Sequence, residues 1–445
     1  MRIAVVGSGA AGLGAAWLLS KKYDVTMFEA GGHAGGHCHT HDVAWQDRTI
    51  SVDTGFIVYN EPNYPNLSAL FRHLDVATED SQMSFSVHTG CGGLEWAGTN
   101  LLTVFAQARN LGRPRFIRML LDLLRLNRSA PSDLAAGRLA GLSLGDYLDA
   151  GGYGDPFRRW YLLPMGAAIW SCSVDGMLRF PAESFVRFFA NHGLLTVNDQ
   201  PQWRTVSNGS RSYVERILRQ MPGEVLLNTP VIAIKREPGG VLVRDVHGRH
   251  QRFDHVVIAS HADQALAMLA DPSDDERRLL GAFSYQANRA VLHRDDMLMP
   301  RRRRIWSSWN YTAESMDHSG NNVSLTYWMN KLQNIDRACP LFVTVNPNLQ
   351  PRDELVLAEM SYDHPLFDAS ALAAQQCLDR LQGTDRIWYC GSYFGYGFHE
   401  DAFTSGLEVA EALGVRRPWV PGKRRLLSPP PAPWRDDAAF AAAGD

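Results

Sequence analysis

Three groups of residues have the type and spacing to do chemistry, and the first lies at the start of the chain. Gly7-Ser8-Gly9-Ala10-Ala11-Gly12 sets glycines at the first, third and sixth places of a hexad, and Glu29 follows 17 residues after Gly12. Between a strand and a helix, such glycines allow a tight turn, admit backbone to a pyrophosphate and let the helix pack on the strand. The helix N-terminus then offers amide donors to the phosphates. An acid at about this distance accepts hydrogen bonds from a ribose diol, and its charge repels the extra phosphate of NADP.

The second group, Gly31-Gly32-His33-Ala34-Gly35-Gly36-His37, follows Ala30 directly. Two glycine pairs this close hold backbone against something bulky. The third is Tyr393-Phe394-Gly395-Tyr396-Gly397-Phe398-His399. Its aromatics suit an apolar substrate wall, and Tyr396 and His399 are the candidate proton acceptors. His33, His37, His39 and His41 with Cys38 also read as metal ligands. The glycines already have an explanation and no cysteine pair completes a second half, so no metal is expected.

The elements needed to position these groups can be read around them. Residues 1–6 are a short aliphatic run of parallel-strand length, 13–20 read as a helix, and 25–28 as a second strand stopping at Glu29. This is an α/β, Rossmann-like unit of a doubly wound parallel sheet. Residues 50–58 alternate like a strand broken at Thr54-Gly55, and 63–74 carry Leu67, Leu70, Phe71 and Leu74 at helical spacing. From there to about 204 no dinucleotide pattern recurs. A β-rich pattern returns over 225–260, with turns at Gly239-Gly240 and Gly248. A last strand over 387–392 leads through the third group into a helix over about 400–413. The expected organisation is a dinucleotide-binding domain from 1–62, 205–262 and 383–415. An inserted α+β substrate domain takes 63–204 and 263–382, with a helical segment at 100–150, and 416–445 form an irregular, proline-rich tail.

The second glycine group, placed just behind the acid, resembles that of the flavin-containing amine oxidase, protoporphyrinogen oxidase and carotene desaturase superfamily. The resemblance implies FAD as cofactor. It implies that the Gly7–Gly12 turn, Glu29, Ala30, Gly35, Gly36, His37, Thr54, Gly55, Val231 (against the adenine), Gly391 and Ser392 hold it. A helix starting near Asp401 would aim the amides of Asp401, Ala402 and Phe403 at the pyrimidine edge of the ring. Two positions depart from the family: His33 stands where relatives carry arginine, and Ser392 where many carry aspartate. Lys331 invites comparison with the flavin-adjacent lysine of amine oxidases. The stretches GFIVYN (55–60), YWMNKLQ (327–333) and GSYFGYGFHEDAFTSG (391–406) resemble a bacterial branch linked to fatty acyl chains. That branch is associated with dehydrogenating methyl-branched unsaturated acyl groups of phospholipids on the way to furan fatty acids. The implied function is FAD-dependent desaturation of a lipid acyl chain. Amine oxidation and double-bond isomerisation are the alternatives, and a flavin-binding lipid carrier is the non-enzymatic one.

Composition bounds these readings. With 445 residues, 45% of them hydrophobic, the chain can bury large cores in two or three domains. A net charge of −3 carries no nucleic-acid footprint, and six cysteines without a CxxC fit reduced thiols. No apolar run approaches 18 residues and the first strand leaves no room for a leader, so the expectation is a cytoplasmic protein, either soluble or peripheral at the inner face of the membrane. Over 113–128 (RPRFIRMLLDLLRLNR), Arg115, Arg118, Asp122 and Arg125 share one helical face. Two readings stand: a buried helix with one wet stripe, or a basic amphipathic helix lying on anionic lipid. The run Arg301–Arg304 is either a solvated loop or a headgroup contact.

Overall fold

The computed structural model describes residues 1–89, 93–170, 172–196, 200–313 and 324–420. All but the first five residues of the expected tail lie outside these ranges. Strand β1 (Arg2–Val6), helix α1 (Ala10–Leu19) and strand β2 (Asp24–Phe28) form the N-terminal unit. β1 is the centre of a five-stranded sheet with β3 (Glu224–Leu226), β4 (His255–Ile258) and β5 (Ile387–Tyr389), in the order β3-β2-β1-β4-β5. Every pairing in it is parallel. β4 and β5 are wholly buried, the continuous apolar pattern of strands covered on both faces. Chain order reverses between β1 and β4, so a crevice opens beyond their carboxyl ends, where Gly7 and Ala259 lie. An added Cβ on Gly7 would stand 2.9 Å from the Ala259 carbonyl oxygen.

Between the strands of this sheet the chain makes excursions. Residues 231–253 form a three-stranded antiparallel sheet. The stretches before β3 and after β4 meet in a seven-stranded sheet, where Trp309–Ala313 pairs in parallel with Phe85–Thr89. The helices that matter for the site are α2 (Pro65–His73), α3 (Pro114–Ala135), α4 (Leu163–Trp170), α5 (Ala182–Asn191), α6 (Arg211–Gln220) and α7 (His399–Ala412). Helix α3 runs one to two turns past the stretch that the sequence marked. Among the described residues no helix is long and apolar enough to cross a membrane.

Helix α1 is buried along its whole length, as an all-apolar helix must be. It is covered by α7, which the sequence expected to begin at Asp401 but which begins at His399. The two helices approach closely because small residues face each other. A Cβ on Gly406 would fall 2.0 Å from the Ala11 carbonyl oxygen, and one on Gly14 would fall 2.9 Å from the Phe403 ring. Gly406→Ala should therefore destabilise the protein by about 1–3 kcal/mol, the usual range for overpacking. Thermal unfolding checks it, and an unchanged midpoint would mean that the helices separate without cost.

Candidate functional site

Glu29, at the end of β2, fastens the first glycine turn. Its Oε2 accepts hydrogen bonds from the Ser8 amide (2.9 Å) and the Ser8 hydroxyl, and its Oε1 accepts one from the Gly31 amide (2.7 Å). A carboxylate has about four acceptor positions, so room for a diol remains. The second glycine group lies on the first. The Gly35 amide donates to the Ser8 carbonyl (3.1 Å), and a Cβ on Gly36 would meet the Gly9 Cα at 3.0 Å. The Thr54–Phe56 turn closes on the other side, with the Phe56 amide on the His37 carbonyl at 2.8 Å. A Cβ on Gly55 would come 2.3 Å from that same oxygen.

One cavity of about 1090 Å³ begins at this turn. Of the expected cofactor residues, Gly7, Ser8, Gly9, Ala10, Ala11, Glu29, Ala30, Gly36, His37, Gly55, Val231, Gly391, Ser392 and Ala402 line it, with His33 beside them. Five do not. Gly12 packs under the turn, where a Cβ would strike the Gly7 carbonyl oxygen at 1.9 Å, and Gly35 packs on Cys38 and Val214. The Thr54 hydroxyl donates to the His39 carbonyl (3.1 Å) and pairs with the Tyr362 hydroxyl (2.7 Å). Phe403 is buried against α1. The Asp401 carboxylate turns back to accept the Tyr396 and Phe398 amides at 2.8 and 3.1 Å. Because α7 starts early, the Ala402 amide is already used by the Phe398 carbonyl. The helix's first-turn amides, which have no internal acceptor, are those of His399–Asp401.

These residues fit a flavin dinucleotide. The α1 N-terminus opens into the cavity at Gly9, where a Cβ would meet nothing within 4 Å. The buried Nε2 of His37, in the cavity wall, has no partner among the described residues. The family model for flavin-containing amine oxidoreductases matches residues 10–294. The chain belongs to this family. FAD is accordingly its cofactor, and the chain is a flavin-dependent oxidoreductase. Three solved structures share its fold. One is a CLA-producing fatty acid isomerase from P. acnes, with TM-score 0.65, 16% identity, and 93% of this chain and 97% of that one covered. A putrescine oxidase bound to putrescine has TM-score 0.65, 16% identity and coverages of 94% and 100%. The cyclohexylamine oxidase from Brevibacterium oxydans IH-35A has TM-score 0.63, 15% identity and coverages of 93% and 98%. No protein with a curated description matches the sequence.

At the end of the flavin cavity away from Glu29, rings from three separate elements meet. Phe188 of α5 and His192, just past its end, stack at 3.8 Å, Phe188 lies 4.7 Å from Trp170 of α4, and Phe398, just before α7, stacks on Phe188 at 4.8 Å. Tyr396 closes the group, 5.9 Å from Phe188. All five line the cavity. Phe394 does not; it packs into the core on Tyr393. Lys331 lies off the cavity and donates to the Ser84 hydroxyl at 2.9 Å.

His399 lies flat on Phe56 (3.9 Å between ring centres), and its Nε2 is 2.6 Å from the Tyr213 hydroxyl. Tyr213 is in turn 2.9 Å from the Cys38 sulfur. Burial pushes the His399 imidazole down to about 3, and raises the Tyr213 phenol and Cys38 thiol well above their usual ranges. All three are therefore neutral at ordinary pH. His37 and His364, with rings 5.5 Å apart, are lowered to about 3 and about 4 by burial and by neighbouring histidines. The histidines around the second glycine group pack ring on ring, with His33 on His39 and His39 beside His41, each at 4.2 Å. Among the described residues no group of three His, Cys, Asp or Glu side chains is arranged for a metal. Tyr213, Phe56 and Tyr362 went unnoticed in the sequence, since each meets its partner only through the fold; the one visible signal was the aromatic in GFIVYN.

Two outcomes follow for the site. Glu29→Ala removes the carboxylate that holds Ser8 and Gly31, an effect of about 1.5–3 kcal/mol for a charged hydrogen bond. The purified variant should show a lower ratio of flavin to protein absorbance after gel filtration. In acid, the unfolded chain protonates His399 near its ordinary value, whereas the folded chain does so only near 3. Stability is then fully present above about pH 6.5 and falls as pH drops from there, by up to ~1.4 kcal/mol per unit. His399→Gln should flatten that acid slope in thermal unfolding measured between pH 6.5 and 4.5; an identical slope would contradict the neutral burial of this ring.

Proposed function

We propose that the protein dehydrogenates an unsaturated, methyl-branched acyl chain of a phospholipid. A hydride leaves an allylic C–H, a proton leaves the neighbouring carbon, and a new double bond forms between them. The aromatic wall of Trp170, Phe188, Tyr396 and Phe398 carries this reading. Among the described residues it adds no carboxylate to receive a cationic amine; the cavity's acids there are Glu29, Glu359 and Asp363. Glu29 is committed to the glycine turn and Glu359 is fastened to Arg289 at 2.6 Å. A hydrocarbon chain, by contrast, gains about 0.8 kcal/mol for each methylene removed from water.

Bound FAD supplies the two-electron acceptor for the hydride. The chain's own residues supply the rest. The rings orient the acyl chain and exclude water, and a neighbouring alkene is needed because an unactivated alkyl C–H is a poor hydride donor. Tyr396 and His399, both on the cavity wall, are our candidates to take the proton. His399 carries none in excess and keeps Nδ1 as the nitrogen not bonded to Tyr213. The similarity to a fatty acid isomerase supports a close variant, in which the hydride returns to another carbon of the same chain and moves the double bond.

The test is anaerobic bleaching of the bound flavin by monounsaturated and methyl-branched phospholipids, set against simple primary amines. Lipids should bleach it with a product two mass units lighter, and a lipid of unchanged mass with a shifted double bond would select isomerisation. Tyr396→Phe and His399→Ala should stay yellow, and the variant that lacks the proton acceptor should bleach roughly 10²- to 10⁴-fold more slowly. Bleaching by amines alone would replace the acyl-chain reading with amine oxidation.

A further inference from the structure

Helix α3 presents three faces. Phe116, Met119, Leu126 and Ala130 are buried. At 100° per residue these centre opposite a stripe of Pro114, Ile117, Leu121, Leu124 and Arg128, which spans ~80° of arc. The face turned farthest from the core is therefore leucine, where a water-facing helix carries polar groups. Leu121 is 61% exposed and Leu124 is 54% exposed. The elements just before α3 continue the pattern: Leu101 (75%) and Leu102 (81%) on the short helix Leu101–Val104, and Leu111 (62%). Phe105, at the end of that short helix, packs on Phe116 of α3 at 6.0 Å, so the short helix lies against α3.

The arginines that the sequence singled out are not on this face. Arg125 donates to Asp122 (2.9 Å) and to the Gly151 carbonyl (2.8 Å) and covers the Tyr153 ring. Arg115 lies 3.6 Å from Asp155 and over Trp160, and Arg118 lies against Gly154. That stripe grips the 151–160 turn. The positive charge beside the leucines comes from elsewhere. Ile305 is buried with Ala97 and Ala106, which brings the exposed run Arg301–Arg304 next to the leucine-bearing segment. Arg109, Arg301 and Arg302 line one cavity of about 590 Å³ there, together with His88 and Gln107. The acids nearby are Glu95, buried beneath Arg302 and the Arg301 amide, and Asp296, 3.4 Å from Arg303.

We propose that this face docks on an anionic lipid surface, with Leu101, Leu102, Leu111, Leu121 and Leu124 in the headgroup–acyl boundary and Arg109 with Arg301–Arg304 on the lipid phosphates. Apolar insertion next to arginine is the composition of an interfacial surface. Charge complementarity selects lipid over a second copy of the chain, since a two-fold contact would set this basic rim against a like-charged one, and the acids beside the rim among the described residues, Glu95 and Asp296, are already paired. The inside of the same helical layer is the aromatic wall, because α3 packs on α5, which carries Phe188. The proposal stands apart from the acyl-chain reading, as docking requires no turnover.

The experiment is flotation of the FAD-loaded protein with vesicles of saturated phosphatidylcholine, alone or with about a third saturated phosphatidylglycerol. Wild type should bind the mixed vesicles at least tenfold more tightly, and lose that preference as salt rises. Leu102→Ser, Leu121→Ser and Leu124→Ser combined should weaken binding to the mixed vesicles tenfold or more. Arg301→Gln, Arg303→Gln and Arg304→Gln combined should weaken it by roughly fivefold per arginine. Retained yellow colour and an unchanged thermal midpoint show that each variant is folded. No binding by wild type, or equal binding by the leucine variant, overturns the proposal. Wild-type dimers that the leucine substitutions dissolve, without vesicle binding, assign the face to a second copy and overturn it as well.

Discussion

The structure depends on backbone lying directly on backbone around the first glycine turn. Gly12 touches Gly7 from below, Gly36 lies on Gly9 from one side, and Gly406 of α7 presses on Ala11 from the other. None of these contacts leaves space for a Cβ. Their effect is to bring amide donors from the α1 N-terminus, the second glycine group and the start of α7 to one crevice at the β1–β4 reversal. A bulky anionic dinucleotide can be held there with few charged side chains, which is why His33 in place of the family's arginine leaves the crevice intact.

Polar groups buried by such close packing must find partners, and the partners they find tie the insertions to the parallel sheet. Asp53 accepts hydrogen bonds from Thr40, from the amide and hydroxyl of Ser210 ahead of α6, and from Gln333. Glu400 of α7 accepts the Asn66 and Leu67 amides at the start of α2. Burial raises these carboxyls to about 6 and about 7. Each thus resists ionisation where it joins two distant parts of the chain. His37, His364 and His399 respond in the opposite direction: burial lowers them, and they act as flat, weakly polar packing.

One part of the cavity wall is glycine turn with Glu29, and another is a cluster of aromatic rings. No single insertion builds the aromatic part. Helices α4 and α5 bring Trp170 and Phe188, and the turn before α7 brings Tyr396 and Phe398, all resting on the same layer whose outer surface is leucine.

The sequence by itself determined the first dinucleotide unit, the returning strands and the final helix, because these follow from local glycine spacing and short apolar periods that do not depend on distant neighbours; the flavin came from the family resemblance of the second glycine group. It also marked Tyr396 and His399 as neighbours in a cavity wall. Only the tertiary structure decided what His399 does there, since Phe56, Tyr213 and Cys38 reach it across the fold. It decided that Asp401 caps its own turn and that Lys331 stands apart. It also decided which side of α3 faces outward. Helical spacing sorts the residues of α3 into stripes, but the stripe that is buried is chosen by what packs against it. Asp155, Tyr153 and the 151–160 turn took the arginines, and the leucines were left exposed.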